Sequence, residues 1–366
     1  MTDVDGSSAQ PGLHMVRVGL VAAPELPRRV ALDLVDRLPR LLDRNFGGRW
    51  HVELAEDPLL AGRAGVDDVL DAGRDARSAA GWDVAICLTD VPLRDGKRPL
   101  VAAVDRHDKV AVVNIPALGL TALGGRVRTM TVALLADIME EALERGQQPK
   151  RRLSAGMVMR REVVMDGRPQ VRYLAPAGTG HVRLLSGMVR ANRPWRAFSG
   201  LSTAVVAAFG TGAYALLSPT IWQLSGELGW GRLVAIMVCA VVAMIVWLVV
   251  GHELWERADG NTTPKEAALY NSATSLTLAI AVACGYLALF VLLFAVSGLL
   301  IEGGVFQQNA DNAAGIGAYA SLAWLGAAIG TVAGGLGSKL DNADEFRYAT
   351  YGHHQGRRRE SGNSEA

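Results

Sequence analysis

Four long segments of this chain contain no Asp, Glu, Lys or Arg, and they constrain its fold more than any other feature. The segments are Phe198–Gly226, Leu233–Gly251, Ala267–Ile301 and Asn312–Ser338. Each supplies roughly 20 or more mostly apolar residues, the number that an α-helix needs to cross about 30 Å of hydrocarbon. We therefore predict an all-α transmembrane four-helix bundle over residues 197–338. The predicted spans are residues 198–218, 233–251, 274–301 and 314–336.

The distribution of basic residues predicts the orientation of these spans. Cytoplasmic loops carry an excess of Lys and Arg. If the chain starts inside, segments 151–196, 252–266 and 339–366 are cytoplasmic and hold seventeen basic residues, whereas the outer loops hold only Arg232. We therefore expect a multi-pass protein of a bacterial plasma membrane with both termini in the cytoplasm, where residues 339–366 form a polar tail.

Residues 15–146 are predicted to form a cytoplasmic α/β domain. Apolar runs and amphipathic stretches alternate in the order strand, helix, strand, helix, strand, followed by two strands and a helix. This order indicates a mixed sheet with an antiparallel edge. Residues 1–14 are polar and contain no apolar core, so we predict a disordered N-terminus rather than a signal peptide.

The densest polar cluster of the predicted domain follows its third strand, in the loop Thr89–Arg98. Loops at the carboxyl ends of strands are where α/β domains usually place ligands. The residues predicted to bind a ligand are Thr89, Asp90, Arg94, Asp105 and His107. The alternative is a solvated turn in which Asp90 caps a bend and Asp95-Gly96 makes a reverse turn.

The element order of the first 130 or so residues resembles the upper half of zincin-type metalloproteases, in which a strand ending in Thr-Asp precedes the metal-binding helix. That helix carries His-Glu-x-x-His, which binds zinc and activates water. The corresponding helix here runs from Arg128 to Asp137 without a histidine. The resemblance therefore implies a topology but not zinc hydrolysis. His252 to Arg257 begins like the same motif, but Glu256 replaces its second histidine.

Other sequence motifs give no catalytic assignment. Gly119–Arg126 follows a strand and precedes a helix, but it lacks the Gly-Lys-Ser/Thr of a phosphate loop. The start of that helix, with Arg126 and Arg128, offers a place for an anion, and the alternative is an ordinary Gly-rich connection. The three cysteines have no metal-ligand spacing. We expect no metal, no cofactor and no catalytic residue, and we favour a protein that is not an enzyme.

Residues 147–196 are predicted to form a basic hairpin and a juxtamembrane amphipathic helix. Segment 151–196 carries ten basic and two acidic residues. Basic amphipathic helices lie on membrane surfaces and attract anionic lipids. The residues predicted to contact the membrane surface are Arg183, Arg190, Arg193, Trp195 and Arg196. The alternative is a helix packed on the soluble domain, and no nucleic-acid partner is expected because the segment lacks interleaved aromatic residues.

The third and fourth uncharged segments predict two helix contacts. The third helix can run from Pro264 to Ile301, about 57 Å, which is longer than the hydrocarbon requires. We therefore expect its first turns, with Tyr270 and Asn271, to meet the soluble domain. In the fourth span, Gly326, Gly330 and Gly334 recur at intervals of four and predict close helix packing, either within the chain or in a homo-oligomer.

Three stretches resemble an uncharacterised family of multi-pass membrane proteins from high-GC Gram-positive bacteria. They are Met188–Arg196, Leu269–Thr274 and Leu322–Gly337. The resemblance implies a cytoplasmic α/β domain joined to a four-span membrane domain, and it implies no activity. The ratio of 32 Arg to 5 Lys fits the codon usage of such bacteria.

Our functional hypothesis is a cytoplasmic domain that binds a small ligand or partner and is anchored by, or signals through, the membrane bundle. One alternative is a membrane-bound enzyme with its site in the Thr89–Arg98 region. A second is a small channel or exporter, which the uncharged spans disfavour because ion pathways commonly use ionisable residues at membrane depth.

Overall fold

A computed structural model describes residues 15–61, 65–96, 98–143, 159–166, 168–192, 202–257, 264–304 and 315–337. The predictions for residues 1–14 and 339–366 therefore lie outside the described residues. Contacts divide the chain into one unit that ends at Met188 and a second that begins at Val189. An N-terminal unit built on a mixed α/β sheet precedes a C-terminal helical unit.

Eight strands in the described part of the first unit form one sheet. They are β1 Met15–Ala22, β2 Arg49–Glu56, β3 Val84–Thr89, β4 Arg94–Asp95, β5 Arg98–Asp105, β6 Val110–Asn114, β7 Arg160–Asp166 and β8 Arg168–Leu174. The order is β2-β1-β3-β6-β5-β8-β7, with β4 paired to β5. Strands β2, β1, β3 and β6 are mutually parallel. Strands β5, β8 and β7 follow them by antiparallel pairing.

The predicted basic hairpin belongs to this sheet. Strand β8 pairs with β5 from Leu100↔Leu174 to Asp105↔Gln170. The expected boundary at residue 146 therefore does not separate the hairpin from the α/β unit, and the antiparallel part is three strands wide. Strand β7 is an outer strand, and it presents Arg160, Arg161 and Glu162 together with Val163, which is 60% exposed.

Four long helices accompany the sheet: α1 Leu26–Phe46, α2 Val66–Ala80, α3 Leu123–Leu143 and α4 Ala177–Asn192. The chain passes from β1 through α1 to β2 and then returns through α2 to β3 on the other side of β1. Right-handed crossovers in opposite directions place their helices on opposite faces. Accordingly α1 packs with α3, whereas α2 packs on β3 and β6.

Trp82 closes the core on the α2 face because β1 has a glycine beneath it. A Cβ on Gly19 would lie 1.8 Å from the Trp82 ring. The Trp82 indole N–H donates to Glu53 Oε2 at 3.0 Å, and Arg17 donates to Glu53 Oε1 at 2.9 Å. These hydrogen bonds lower the pKa of Glu53 from its ordinary value of 4.5, and the bond from Trp82 has the larger effect, followed by that from Arg17.

The second unit contains five helices in its described part: α5 Ser202–Ala215, α6 Pro219–Glu227, α7 Trp230–Gly251, α8 Pro264–Leu300 and α9 Ile316–Gly337. Three of them, α7, α8 and α9, are long and apolar enough to cross a membrane. Their composition identifies a membrane-embedded chain. Helix α8 begins at the predicted Pro264 and ends one residue before the predicted Ile301.

The first predicted span, residues 198–218, is described from Ser202 onward. Helix α5 covers 14 residues of it, or about 21 Å. It ends before Ser218, and α6 leaves at 86° with Pro219 in its first turn. The unit therefore has three candidate spans, or four if the bent pair crosses as one. The predicted four-helix bundle is therefore supported for α7, α8 and α9, and its first span depends on the bent pair.

The three glycines predicted to pack lie on the face of α9 that meets α5. A Cβ on Gly330 would lie 2.4 Å from the Ala208 carbonyl oxygen, and one on Gly334 would lie 2.8 Å from that of Ala204. At Gly326 the neighbouring backbone is that of Gly212. Because this face is used within the chain, a homo-oligomer would have to form through another surface.

Asn271 makes its contacts inside the helical unit. Its side-chain amide donates to the Glu256 carbonyl at 2.9 Å, and its oxygen accepts the Glu256 N–H at 2.8 Å. Asn271 is 8% exposed. Both halves of the Asn271 amide are therefore used to hold the turn after α7.

Candidate functional site

The candidate site lies at the carboxyl edge of the sheet, which we define as the edge where β1, β3 and β6 end. Strand β8 also ends there, because it is antiparallel to β5 and β5 is antiparallel to β6. The strand order reverses at β1, which has β2 on one side and β3 on the other, and open α/β sheets bind ligands in the crevice beside such a reversal. Strand β2 is parallel to β1, so the topology brings the ends of five strands and the start of α4 to one edge.

Thr89 and Asn114 form the buried floor of this edge. They are register partners at the ends of β3 and β6, and each has 0% exposure. Thr89 Oγ1 accepts the Val91 N–H at 3.1 Å. The Asn114 amide donates to the Leu93 and Leu100 carbonyls at 3.1 and 2.7 Å. These bonds fix the path of the chain between β3 and β5, which carries Asp90 and Arg94.

Sequence reasoning did not identify Asn114. A signal was available, because Asn114 is the polar residue that ends the otherwise apolar strand β6, just as Thr89 ends β3. Its Oδ1 atom is enclosed and has no hydrogen-bond partner among the described residues. Buried amide groups normally use their full bonding capacity.

Arg94 and His181 meet at the same edge. Arg94 Nη2 lies 3.4 Å from His181 Nε2. His181 lies in the first turns of α4, which is joined to the sheet by the Ala175 N–H bond to the Pro99 carbonyl at 2.9 Å. Asp90 directly follows β3 and is 8% exposed. Three of the five predicted ligand residues, Thr89, Asp90 and Arg94, are therefore close to this edge.

Asp105 and His107 do not join them. Asp105 pairs with Val110 at the start of β6, whereas Thr89 pairs with Asn114 at its end. Four residues of strand separate these positions by about 13 Å. The prediction of one five-residue site is therefore corrected, because β5 runs antiparallel to β6 and carries its last residues to the opposite edge.

Asp105 has a structural role at that opposite edge. Its Oδ1 accepts the Asp108 N–H at 3.0 Å, and its Oδ2 lies 3.6 Å from Arg74 Nη2. Arg74 Nε also pairs with Asp108 at 2.5 Å. His107 is exposed in the turn. This cluster fixes the β5–β6 turn to α2.

Helix α4 packs against the α/β unit. The sequence analysis gave this packing as the alternative to a helix on the membrane surface. A Cβ on Gly187 would lie 2.1 Å from the Pro116 carbonyl oxygen, and Leu184 is fully buried. Arg183 lies against Gly119 rather than projecting from the helix, and Arg190 is half-buried. The remaining predicted surface residues, Arg193, Trp195 and Arg196, lie outside the described residues.

A pair of arginines lies at the same edge as the Arg94–His181 contact. Arg183 and Arg126 both lie beside Gly119, in the turn between β6 and α3. Arg126 Nη1 donates to the Leu118 carbonyl at 2.6 Å. Burial, followed by the positive charge of Arg126, lowers the pKa of Arg183. Arg128, the other arginine predicted to attract an anion, instead lies 3.4 Å from Asp33.

The helical unit contains an apolar cavity of about 230 Å³ between α5, α7, α8 and α9. Its polar lining groups are the hydroxyls of Tyr286 and Thr331. Tyr286 donates to the Trp324 carbonyl at 2.8 Å and Thr331 to that of Ala327 at 2.7 Å. Both hydroxyls are therefore used by backbone, and the cavity suits an apolar guest.

Comparison with known protein families, with curated proteins and with solved structures gives no significant match. Within the described residues, no three His, Cys, Asp or Glu side chains converge as a metal site would require. The functional argument therefore rests on the chemistry of the carboxyl edge itself.

Proposed function

We propose that this chain is a membrane-anchored binding protein whose α/β unit takes a small ligand at the carboxyl edge of its sheet. The observation that carries the proposal is the position of α4. This helix brings His181 to Arg94 and Arg183 to Arg126, so polar and cationic groups from separate elements meet where α/β sheets bind ligands. Thr89 and Asn114 act beneath them as positioning residues.

The same helix suggests how ligand binding reaches the membrane. Helix α4 contributes two residues to the site, and only residues 193–201 separate its end from α5. A ligand that changes the packing of α4 therefore acts on the chain segment that leads directly into the apolar helices. We propose that the apolar helices anchor the binding unit in a bacterial plasma membrane and that the unit faces the cytoplasm, as the basic segments favour.

The test uses the full chain in lipid nanodiscs and a panel of soluble metabolites. Binding is measured as a ligand-dependent rise in the thermal unfolding midpoint, which follows from preferential binding to the folded state. We expect at least one compound class to stabilise the wild type and to lose its effect in Arg94→Ala. The matched control is Arg98→Ala, because Arg98 lies across the β4–β5 hairpin and pairs with Glu162 at 3.7 Å.

The possible outcomes separate the functions. If no compound stabilises the wild type, or if both variants respond as the wild type does, the binding proposal fails. If mass spectrometry shows turnover that Arg94→Ala or Asp90→Ala abolishes, the enzyme hypothesis replaces it. Solute flux into liposomes that depends on residues 197–338 would favour the channel, against the apolar character of the cavity.

A further inference from the structure

We propose that Arg126 and Arg183 together bind a phosphate group at the carboxyl edge. This inference rests on the proposed function and names the chemical class of its ligand. The phosphate belongs either to a soluble phosphate monoester or to a lipid headgroup, and the experiment below separates these sources.

The geometry directs both arginines to one point of the main chain. Gly119 has a φ of +85°, and a Cβ there would lie 2.6 Å from Arg183 Cγ and 3.3 Å from Arg126 Nη1. A side chain at this position would therefore displace both arginines. The absence of a side chain lets two side chains from different helices, α3 and α4, approach the same backbone turn.

The described residues supply no countercharge to this pair. Within the described residues, neither arginine has a carboxylate at ion-pair distance, in contrast to Arg128, which has Asp33. Arg183 Nη1 is enclosed by protein and has no hydrogen-bond acceptor in the described part of the chain. The Arg183 side chain as a whole is half-buried. Two neighbouring cations are unfavourable by themselves, and an anion bound between them would relieve that repulsion.

Phosphate fits this arrangement better than a carboxylate. Each guanidinium presents several N–H donors in a fixed plane, and phosphate oxygens accept them in bidentate pairs. A phosphate monoester carries close to two negative charges at neutral pH, so one group neutralises both arginines. A single carboxylate neutralises only one of them.

The experiment measures binding of inorganic phosphate and glycerol 3-phosphate to the full chain in detergent, by calorimetry and by thermal unfolding. Sodium chloride at equal ionic strength controls for screening. We expect Arg183→Gln to weaken the affinity roughly tenfold or more, because it removes a hydrogen bond to a charged group. We expect Arg183→Lys to recover part of the affinity, since it restores the charge without the planar fork. Arg128→Gln is the matched control on α3 and should bind as the wild type does.

A structural role for Arg183 predicts a different result in the absence of phosphate. Removing one member of an uncompensated cationic pair should leave the unfolding midpoint of Arg183→Gln equal to or above that of the wild type. A clear loss of stability in anion-free buffer, or equal phosphate affinity in Arg183→Gln and wild type, would overturn the inference. Reconstitution into phosphatidylcholine liposomes with or without phosphatidic acid tests the lipid source, and Arg183-dependent stabilisation by either source supports the phosphate site.

Failure of this inference is distinguishable from failure of the proposed function. If another ligand stabilises the wild type and loses its effect in Arg94→Ala but not in Arg183→Gln, the binding protein remains and the phosphate site is rejected. If neither phosphate nor any other compound binds, both are rejected.

Discussion

Asp105 is 1% exposed, and its charge is tolerated because Arg74 and the Asp108 N–H lie beside it. The sequence analysis placed Asp105 in the ligand site because it lies across the predicted hairpin and adds to the densest polar cluster. Its role is decided by the direction of β5, which the identity of a single residue does not reveal. At this scale the charged residues of the α/β unit divide into those that hold turns, such as Asp105, and those that lie at the carboxyl edge, such as Arg94.

Replacing Arg74 tests this division. Arg74→Ala leaves the buried Asp105 carboxylate without its cation, and breaking such pairs costs about 3 kcal/mol. We expect a clear fall in the unfolding midpoint of the full chain without loss of Arg94-dependent ligand binding in the folded fraction. Asp71→Asn is the control, because Asp71 pairs with the same arginine but is 58% exposed and should cost below about 1 kcal/mol. Equal effects of the two substitutions would contradict the structural role.

Glu53 gives a pH-dependent test. Hydrogen bonds from Trp82 and Arg17 lower the pKa of Glu53, so its contribution to stability is present above pH 4.5 and is lost as the pH falls through the folded-state value. Glu53→Gln should lower the unfolding midpoint at neutral pH, and the difference from wild type should shrink below about pH 4.5. The control is Glu56→Gln on the same strand, whose pair with Arg28 is largely exposed. A difference that is constant across this range would rule out the linkage.

At the scale of elements, the helical unit depends on how closely α5 and α9 approach. Gly330→Val inserts a side chain where a Cβ would already lie 2.4 Å from the Ala208 carbonyl oxygen. We expect α5 and α9 to separate, at a cost of about 1–3 kcal/mol, the usual range for overpacking. The measurements are detergent-dependent unfolding and protease cleavage near α5. Gly317→Val is the control on the same helix, because nothing lies within 4 Å of a Cβ there.

The sequence predicted elements with regular periods more reliably than it predicted their junctions. Strands β3 and β6 are apolar up to their last residue, β1 ends in an apolar run, and α8 begins at the expected Pro264, because these local patterns determine the element. The first predicted span ends at residue 218, directly before the bend, but helix α6 in the predicted outer loop was not foreseen. Pro219 was its local signal, because proline favours the first turn of a helix. The addition of β7 and β8 to the sheet was also missed, since pairing between distant strands leaves little local trace.

The same reasoning explains what was and was not predicted of the site. Thr89, Asp90 and Arg94 follow one strand, so their common position could be inferred from sequence. His181 and Arg183 reach the carboxyl edge only because α4 returns to pack on Pro116. Nothing in the amphipathic pattern of α4 distinguishes that contact from a membrane surface, because both bury one apolar face.

At the scale of the whole molecule, the apolar helices and the α/β unit impose one topological requirement: basic segments should stay on the cytoplasmic side. In intact cells, a membrane-impermeant maleimide should label Glu227→Cys, at the exposed end of α6, and should not label Arg257→Cys, in the exposed turn after α7. Permeabilised cells should label both, and the wild-type chain gives the background from its own cysteines. The reverse pattern would place the α/β unit outside the cell.

Attachment to a bilayer also affects how readily the outer strand β7 could pair with the same strand of a neighbouring copy. Anchored domains share a thin layer next to the membrane, where their local concentration is far above that of a dilute soluble protein. An outer strand with unpaired backbone groups is a template for joining the sheets of neighbouring copies, and charged residues along it discourage such pairing. Arg160, Arg161 and Glu162 lie along β7, so we expect that their neutralisation would promote such pairing and would appear as insoluble protein in densely expressing cells.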